Sequence, residues 1–338
     1  MKQLVMICSF FLAACLGKAQ EQTAQLLQAT ATKLMQKGDF DNAVLMLQRA
    51  SKQDPANISI LQDLCYAAYL KRDYAQAIEV GKQLVDNPKS DAQAFQLLGL
   101  AYKAVAEYKD CEKLYRNGIR RFPKSGILYN EYAELFAMQN EMDDAIDQWE
   151  KGIAADPGYS SNYYNASIYY GKKQQWLRTA LYAEIFLNLE SYSARVADIK
   201  PMLLQAWKGL SNSAYLLKSA QEAKSPFEKA YAASLQQSIG GDAAPTSMSQ
   251  ITAIRTRFVI QWMNQYGAKY PVALFARQQY LLNQQLFAAY DYWLMSADDD
   301  DTYKQWKDAH AQEAQGFTDF QQSRVFKIPA GEAYFVKN

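Results

Sequence analysis

Histidine is almost missing from this 338-residue chain; His310 is the single one. One imidazole makes no zinc site without carboxylate or thiolate help, and no Ser or Cys nucleophile motif stands near it. There is no phosphate-cradling glycine loop and no nucleophile elbow. No constellation therefore meets the usual test for a catalytic centre. Charge of one sign is also lacking: 36 Lys and Arg face 35 Asp and Glu, a net +1. The first 19 residues carry Lys2 and Lys18 and no acid, which leaves −1 on the remainder. That balance excludes the basic face demanded by nucleic acid and gives no sign of an electrostatic membrane patch. The apolar run from Leu4 to Leu16 is too short to span a bilayer. Beyond it only Cys65 and Cys111 remain of four cysteines.

What is present is apolar and aromatic, 49% and 13% of residues, so the chain is not a disordered one. Residues 1–19 read as a secretory leader: Lys2, the apolar run, then small residues. Gly17-Lys18-Ala19 fits ordinary cleavage before Gln20, while Leu12-Ala13-Ala14-Cys15 fits a lipobox, with a lipid anchor at Cys15. Either exit implies export across the inner membrane of a Gram-negative bacterium, to the periplasm or the outer membrane.

Between Ala24 and about Glu190 the chain repeats itself every 34 residues. One small column runs Ala31, Cys65, Gly99, Ala133, Ser167, and a second Ala43, Ala77, Cys111, Ala145, Thr179. A bulky column runs Leu27, Leu61, Phe95, Tyr129, Tyr163, and another Phe40, Tyr74, Tyr108, Met142, Trp176. Pro55, Pro88, Pro123 and Pro157 close four copies, and the fifth has no proline. Within a copy, Leu27, Ala31 and Leu34 share one helical face. Lys37-Gly38-Asp39 breaks that helix, and Phe40, Ala43, Leu47 and Ala50 share the face of a second. Small residues on facing positions let two antiparallel helices approach closely; each proline ends the second helix.

These columns resemble the tetratricopeptide repeat (TPR) family over about half the chain. The small-small-small-proline signature stands as Ala31, Ala43, Ala50, Pro55, and recurs as Gly99, Cys111, Gly118, Pro123 and as Ala133, Ala145, Gly152, Pro157. Leu84 and Phe186 depart from it. The resemblance implies an all-α, right-handed superhelix of helix pairs, four repeats and a degenerate fifth over 20–190, whose first helices line a concave surface. It places three columns there. The first is Gln28, Gln62, Gln96, Asn130, Tyr164. The second is Thr32, Tyr66, Leu100, Glu134, Ile168. The third is Met35, Tyr69, Lys103, Ala137, Gly171. Side-chain amides both donate and accept, so the first column offers a ladder for a peptide backbone or for sugar hydroxyls, with Tyr66 and Tyr69 adding apolar area. Glutamines are equally good exposed helix formers with no further role. The lysine–asparagine clamp by which some relatives hold peptide C-termini is absent; Gln28, Thr32 and Asp63 stand at its positions.

Cys65 and Cys111 lie in the small columns, on helices not expected to touch. They read as buried small residues, with a disulfide as the alternative. Residues 191–238 continue as divergent, capping helices, with Pro226 at the start of one. Gly240 to Ser247 is a loop, and Ser249 is a candidate cap for a helix from Ile251 to about Tyr266. A further helix restarts after Tyr270-Pro271 and runs through Leu286 toward Met295. Residues 249–338 form an aromatic-rich region in which the spacing of Phe258, Trp262 and Tyr266 favours core. Asp298 to Asp301 lacks the spacing and glycine of a calcium loop and reads as a helix cap. Val325 to Val336 has some strand character.

The expectation is a non-enzymatic envelope scaffold, without cofactor or metal, that binds a protein or peptide through Gln28, Gln62, Tyr66, Tyr69, Gln96, Lys103, Asn130, Glu134 and Tyr164. The alternatives are a protein that binds carbohydrate or peptidoglycan fragments, and an outer-membrane lipoprotein subunit of an envelope complex.

Overall fold

In the computed structural model, residues 23–223, 225–240, 245, 247–296, 300–329 and 331–334 are described. The leader, Cys15, Gly241 to Ala244 and Asp298 lie outside them. The chain forms two compact units, Met1–Gln139 and Asn140–Asn338. The described secondary structure is helical throughout.

The first unit holds α1 (23–36), α2 (Phe40–Gln53), α3 (Ile58–Leu70), α4 (Tyr74–Asp86), α5 (Ala92–Ala104), α6 (Tyr108–Arg121) and α7 (Gly126–Met138). From α2 to α7 each helix packs on its chain neighbour, and α3 and α7 both also pack on α5. The two small columns explain the closeness. Ala31, Cys65 and Ala133 are fully buried, as are Ala43, Ala77 and Cys111. The cysteines are free thiols. The Sγ of Cys65 donates to the carbonyl of Ala77 at 3.2 Å, and that of Cys111 reaches the carbonyl of Gly99 at 3.6 Å. These are the meeting points of the two columns. Burial pushes both thiols up to about 12, so neither is a ready thiolate. Gly99 is required where it stands, because a Cβ there would run into the ring of Tyr115.

The turn inside each pair has a fixed chemistry. Gly38, Arg72, Ala106, Asn140 and Gln174, again 34 apart, all take positive φ, between 54° and 77°. In the first pair the N–H of Asp39 donates back to the carbonyl of Leu34. Asp73 to Ala68, Glu107 to Tyr102 and Gln175 to Tyr170 repeat that bond. Asp39 and Asp73 then cap the second helices, accepting from the N–H groups of Asn42 and Gln76.

The second unit holds α8 (Met142–Ala155), α9 (Ser160–Lys172), α10 (Trp176–Leu189), α11 (Val196–Leu210), α12 (Ser213–Glu222), α13 (Pro226–Ile239), α14 (Met248–Gln265), α15 (Ala273–Asn283), α16 (Phe287–Leu294), α17 (Asp300–Ala309) and α18 (Ala311–Ser323). Ser225 caps α13 with Pro226 at its first position. Ser247, not Ser249, caps α14: it forms a reciprocal capping box with Gln250, which starts the helix at Met248. The expected long helix after Pro271 is two helices. Gln285, at φ 59°, breaks it, and the N–H of Leu286 donates to Leu281 at 2.8 Å. This is the repeat turn again, so α15 and α16 form a repeat-like pair that stepping by 34 does not reach. Phe287 occupies the place of the column Phe40, Tyr74, Tyr108. The small positions are filled instead by Gln278 and Tyr290.

Phe258 and Trp262 are buried, in contact with Tyr231, Phe227 and Phe275. Among the described residues after α18 none pairs as a strand, and Val336 lies outside them. The segment lies back on the unit: Ala273 donates to the carbonyl of Glu332, and Tyr334 is buried against Tyr182 and Phe227.

Candidate functional site: the inner face of the first helices

The amide column is half-buried and its donors are engaged. Gln28 Nε2 donates to Ser59 Oγ at 2.8 Å and to Asp63 Oδ2 at 2.7 Å. Gln62 donates to both carboxylate oxygens of Asp91, at 3.0 and 3.1 Å. Gln96 donates to Glu131 at 2.8 Å. Asn130 is buried and donates to Glu134 at 2.9 Å. In the second unit the hydroxyl of Tyr164 donates to Asp198 at 3.0 Å. Apart from Asn130, each donor reaches 29 to 35 residues along the chain, one repeat on. The column ties neighbouring helices together. A ladder with its donors free for a ligand is not what the side chains form.

Lys103 is also buried. Its Nζ lies 2.6 Å from Glu131 and 3.1 Å from Glu134. Tyr115 donates to the same Glu131 oxygen as Lys103, at 3.3 Å. Burial alone would lower the Lys103 ammonium, but the two glutamates outweigh it and its pKa is raised. It is a structural cation here.

Tyr66 remains open, and Tyr69 is half-buried against the core. Tyr66 is 43% exposed, and its ring lies nearly parallel to Tyr69 at 6.5 Å. Thr32 is exposed, and Met35 and Leu100 are half-buried. The first unit thus offers a patch centred on two tyrosines.

In the second unit the inner face opens into a groove of about 670 Å³ between α9 and α11. Ile168, Pro201 and Met202 give it an apolar wall, and Gln205, Lys172 and Lys208 are exposed polar groups along it. A Cβ on Gly171 would meet the Met202 sulfur, so glycine lets α11 seat against α9. Asp198 also lines the groove, held by Tyr164. The Tyr164 ring carries the Arg195 guanidinium at 4.9 Å, and Arg195 pairs with Glu190. Ile168 and Gly171 stand in the columns read from the sequence; the lining residues of α11 escaped that reading, yet a signal for them existed. Asp198, Met202 and Gln205 stand 34 residues beyond Tyr164, Ile168 and Gly171. The inner columns continue into α11 after the packing columns have failed.

His310 is exposed, its ring stacked on Trp306 at 4.6 Å. Among the described residues no group of three or more His, Cys, Asp or Glu is placed to hold a metal ion. No described helix is long and apolar enough to cross a membrane.

Residues 34–101 match the tetratricopeptide repeat family, and residues 97–160 match a second family of the same description. Residues 34–160 are therefore tetratricopeptide repeats. The mitochondrial import receptor subunit TOM70 of Saccharomyces cerevisiae is 26% identical over 134 residues, 40% of this chain and 21% of the relative. The match therefore spans about a fifth of that relative's length. Among solved structures, MamA is similar at 25% identity and a TM-score of 0.38, over 48% of this chain and 94% of that one. Pseudomonas aeruginosa pilF is similar at 12% identity and a TM-score of 0.46, over 62% and 96%. TPR proteins are protein-interaction scaffolds and typically not enzymes.

Proposed function

We propose that this TPR protein acts in the cell envelope, where it holds an extended segment of a partner protein along the inner face of its first helices. The observation that carries the reading is the α9–α11 groove. It is preformed, has an apolar wall of Ile168, Pro201 and Met202, and presents Lys172 and Lys208 to solvent. A preformed groove needs little ordering on binding, and its two exposed ammonium groups favour a segment that pairs apolar side chains with an acid. The Tyr66–Tyr69 patch of the first unit is a separate surface of the kind enriched in binding. The carbohydrate reading is weaker, because the donors of Gln28, Gln62, Gln96 and Asn130 are already used. Export rests on the leader sequence, with Cys15 as the lipid anchor if the lipobox is processed.

The test is a pull-down from the envelope fraction of the source organism, with the native chain and with a Lys172→Glu/Lys208→Glu variant. Both lysines are exposed, so the variant is expected to fold. Partners bound by the native chain and lost by the variant support the groove. Partners retained move binding elsewhere, and recovery of the native protein only from the cytoplasmic fraction defeats the envelope assignment.

A further inference from the structure

Arg178, Arg255 and Arg277 of the second unit are all drawn largely into the interior. Two of them have carboxylates. Arg178 grips Glu228 at 2.7 and 3.2 Å. Arg255 is held by Glu184 at 2.7 and 2.9 Å and by Asp291 at 2.9 Å. Arg277 forms no ion pair among the described residues. It lies between two rings, 4.7 Å from the centre of Phe320 and 5.3 Å from Phe326, and its Nε is buried without a hydrogen-bond partner. A buried cation without a counter-ion is costly, and burial holds the Arg277 guanidinium below its ordinary range. The guanidiniums of Arg178 and Arg255, each held by carboxylates, shift upward despite their burial.

Arg277 is not sealed in. It lines an open pocket of about 320 Å³ between α15, α18 and the extended segment that follows α18. That volume is at the lower end of small-molecule sites, which run from about 300 to 1,000 Å³. Tyr280 and Phe320 stack at 5.6 Å as one apolar wall, with Phe326 as a second contact. Arg324 lies over the Tyr280 ring at 4.8 Å, and Lys327 adds another cation. Glu332 is the carboxylate in the lining, and it pairs with none of these cations.

We infer that this pocket binds a small carboxylate with a flat apolar body, its carboxyl on Arg277 and its body against Tyr280, Phe320 and Phe326. Guanidinium and carboxylate match as two-pronged partners, and the rings beside Arg277 give the apolar body its contact. The site lies apart from the α9–α11 groove, and neither reading depends on the other.

Calorimetric titration of the full chain with phenylacetate and with phenylacetamide is the test. The acid is expected to bind at least about tenfold more tightly than the neutral amide. Arg277→Met is expected to abolish that preference and to leave the melting temperature equal or higher, since it removes an unpaired buried charge. Arg277→Lys keeps the charge and loses the fork, and is expected to retain only part of the preference. Equal affinity for acid and amide in the native chain, no binding of either, or an unchanged preference in Arg277→Met overturns the site. A short peptide ending in a free phenylalanine carboxylate distinguishes the source of the ligand. Binding as tight as phenylacetate points to a protein terminus, and weaker binding to a free small acid.

Discussion

Gln96 in the first unit and Arg255 in the second both hold a glutamate, and they do so in different surroundings. Gln96 is half-buried and shares Glu131 with Lys103 and Tyr115 at the edge of the inner face. Arg255 is wholly enclosed, and its cluster takes in Gln278 and Tyr290, which donate to Glu184 at 2.6 and 2.8 Å. Asn188 adds a bond to Tyr290 at 2.7 Å. The first unit is a regular array in which small residues set helix spacing, and its buried polar cluster of Lys103, Asn130 and Glu131 leaves those small positions intact. The second unit places polar side chains where the array has small ones. Gln278 and Tyr290 fill the close-approach positions of the α15–α16 pair and point at Glu184 on α10. A repeat-like hairpin is thereby specified by hydrogen bonds in place of shape alone.

The comparison breaks most readily at Arg255. Replacing it with Met leaves Glu184 and Asp291 buried without their cation, and loss of one partner of such a pair costs about 3–5 kcal/mol. Urea denaturation should show the second unit destabilised by that order; a change below 1 kcal/mol would mean that the cluster is not what fixes it. Next in size is a pH effect. Burial pushes the Asp291 carboxyl from 3.8 up to about 7, with Glu184 adding and Arg255 opposing. A carboxyl raised in the folded state favours folding most below its unfolded value and loses that contribution as pH rises. The second unit should therefore lose stability between about pH 4 and 7 from this group, and Asp291→Asn should flatten that slope in pH-dependent melting curves. In the first unit, Lys103→Met removes a charged hydrogen-bond donor from Glu131 and should cost about 1.5–3 kcal/mol, less than Arg255 because Gln96 and Tyr115 remain. Gly99→Ala, which forces the Tyr115 ring aside, should cost about 1–3 kcal/mol. Smallest is Gln62→Ala in the half-buried amide column, expected within about 1 kcal/mol. A larger loss there would show that the amide ties carry the array's stability.

The repeats were legible because their constraints are local. Ala31 against Ala43, or Cys65 against Ala77, is a packing requirement that recurs at a fixed step whatever the rest of the chain does. The inner face was legible only as positions. Nothing in the sequence says that Gln62 is spent on Asp91, because that bond depends on where the next helix lies. The α11 extension of the face was missed because attention to proline and small residues ended the array at 190, while the inner columns ran one step further. The α15–α16 pair was missed for the opposite reason. Its turn geometry is that of the repeats, but Gln285 gives no sign in sequence that it will take a left-handed conformation. Arg255 and Arg277 lay in stretches that read as aromatic core, and only packing distinguishes the arginine that has carboxylates from the one that has rings.

The positive-φ turns carry a further consequence, for engineering. Gly38 adopts its conformation freely, whereas Arg72, Ala106, Gln174 and Gln285 hold the same conformation with a side chain, at roughly 1 kcal/mol or more each. Replacing these four with glycine, or with the asparagine already found at position 140, relieves that strain without touching the inner face or the pocket. Because the sites lie in separate turns, their gains should add. The family's own turn chemistry is thus a ready route to a hardier version of this protein with its binding surfaces left as they are.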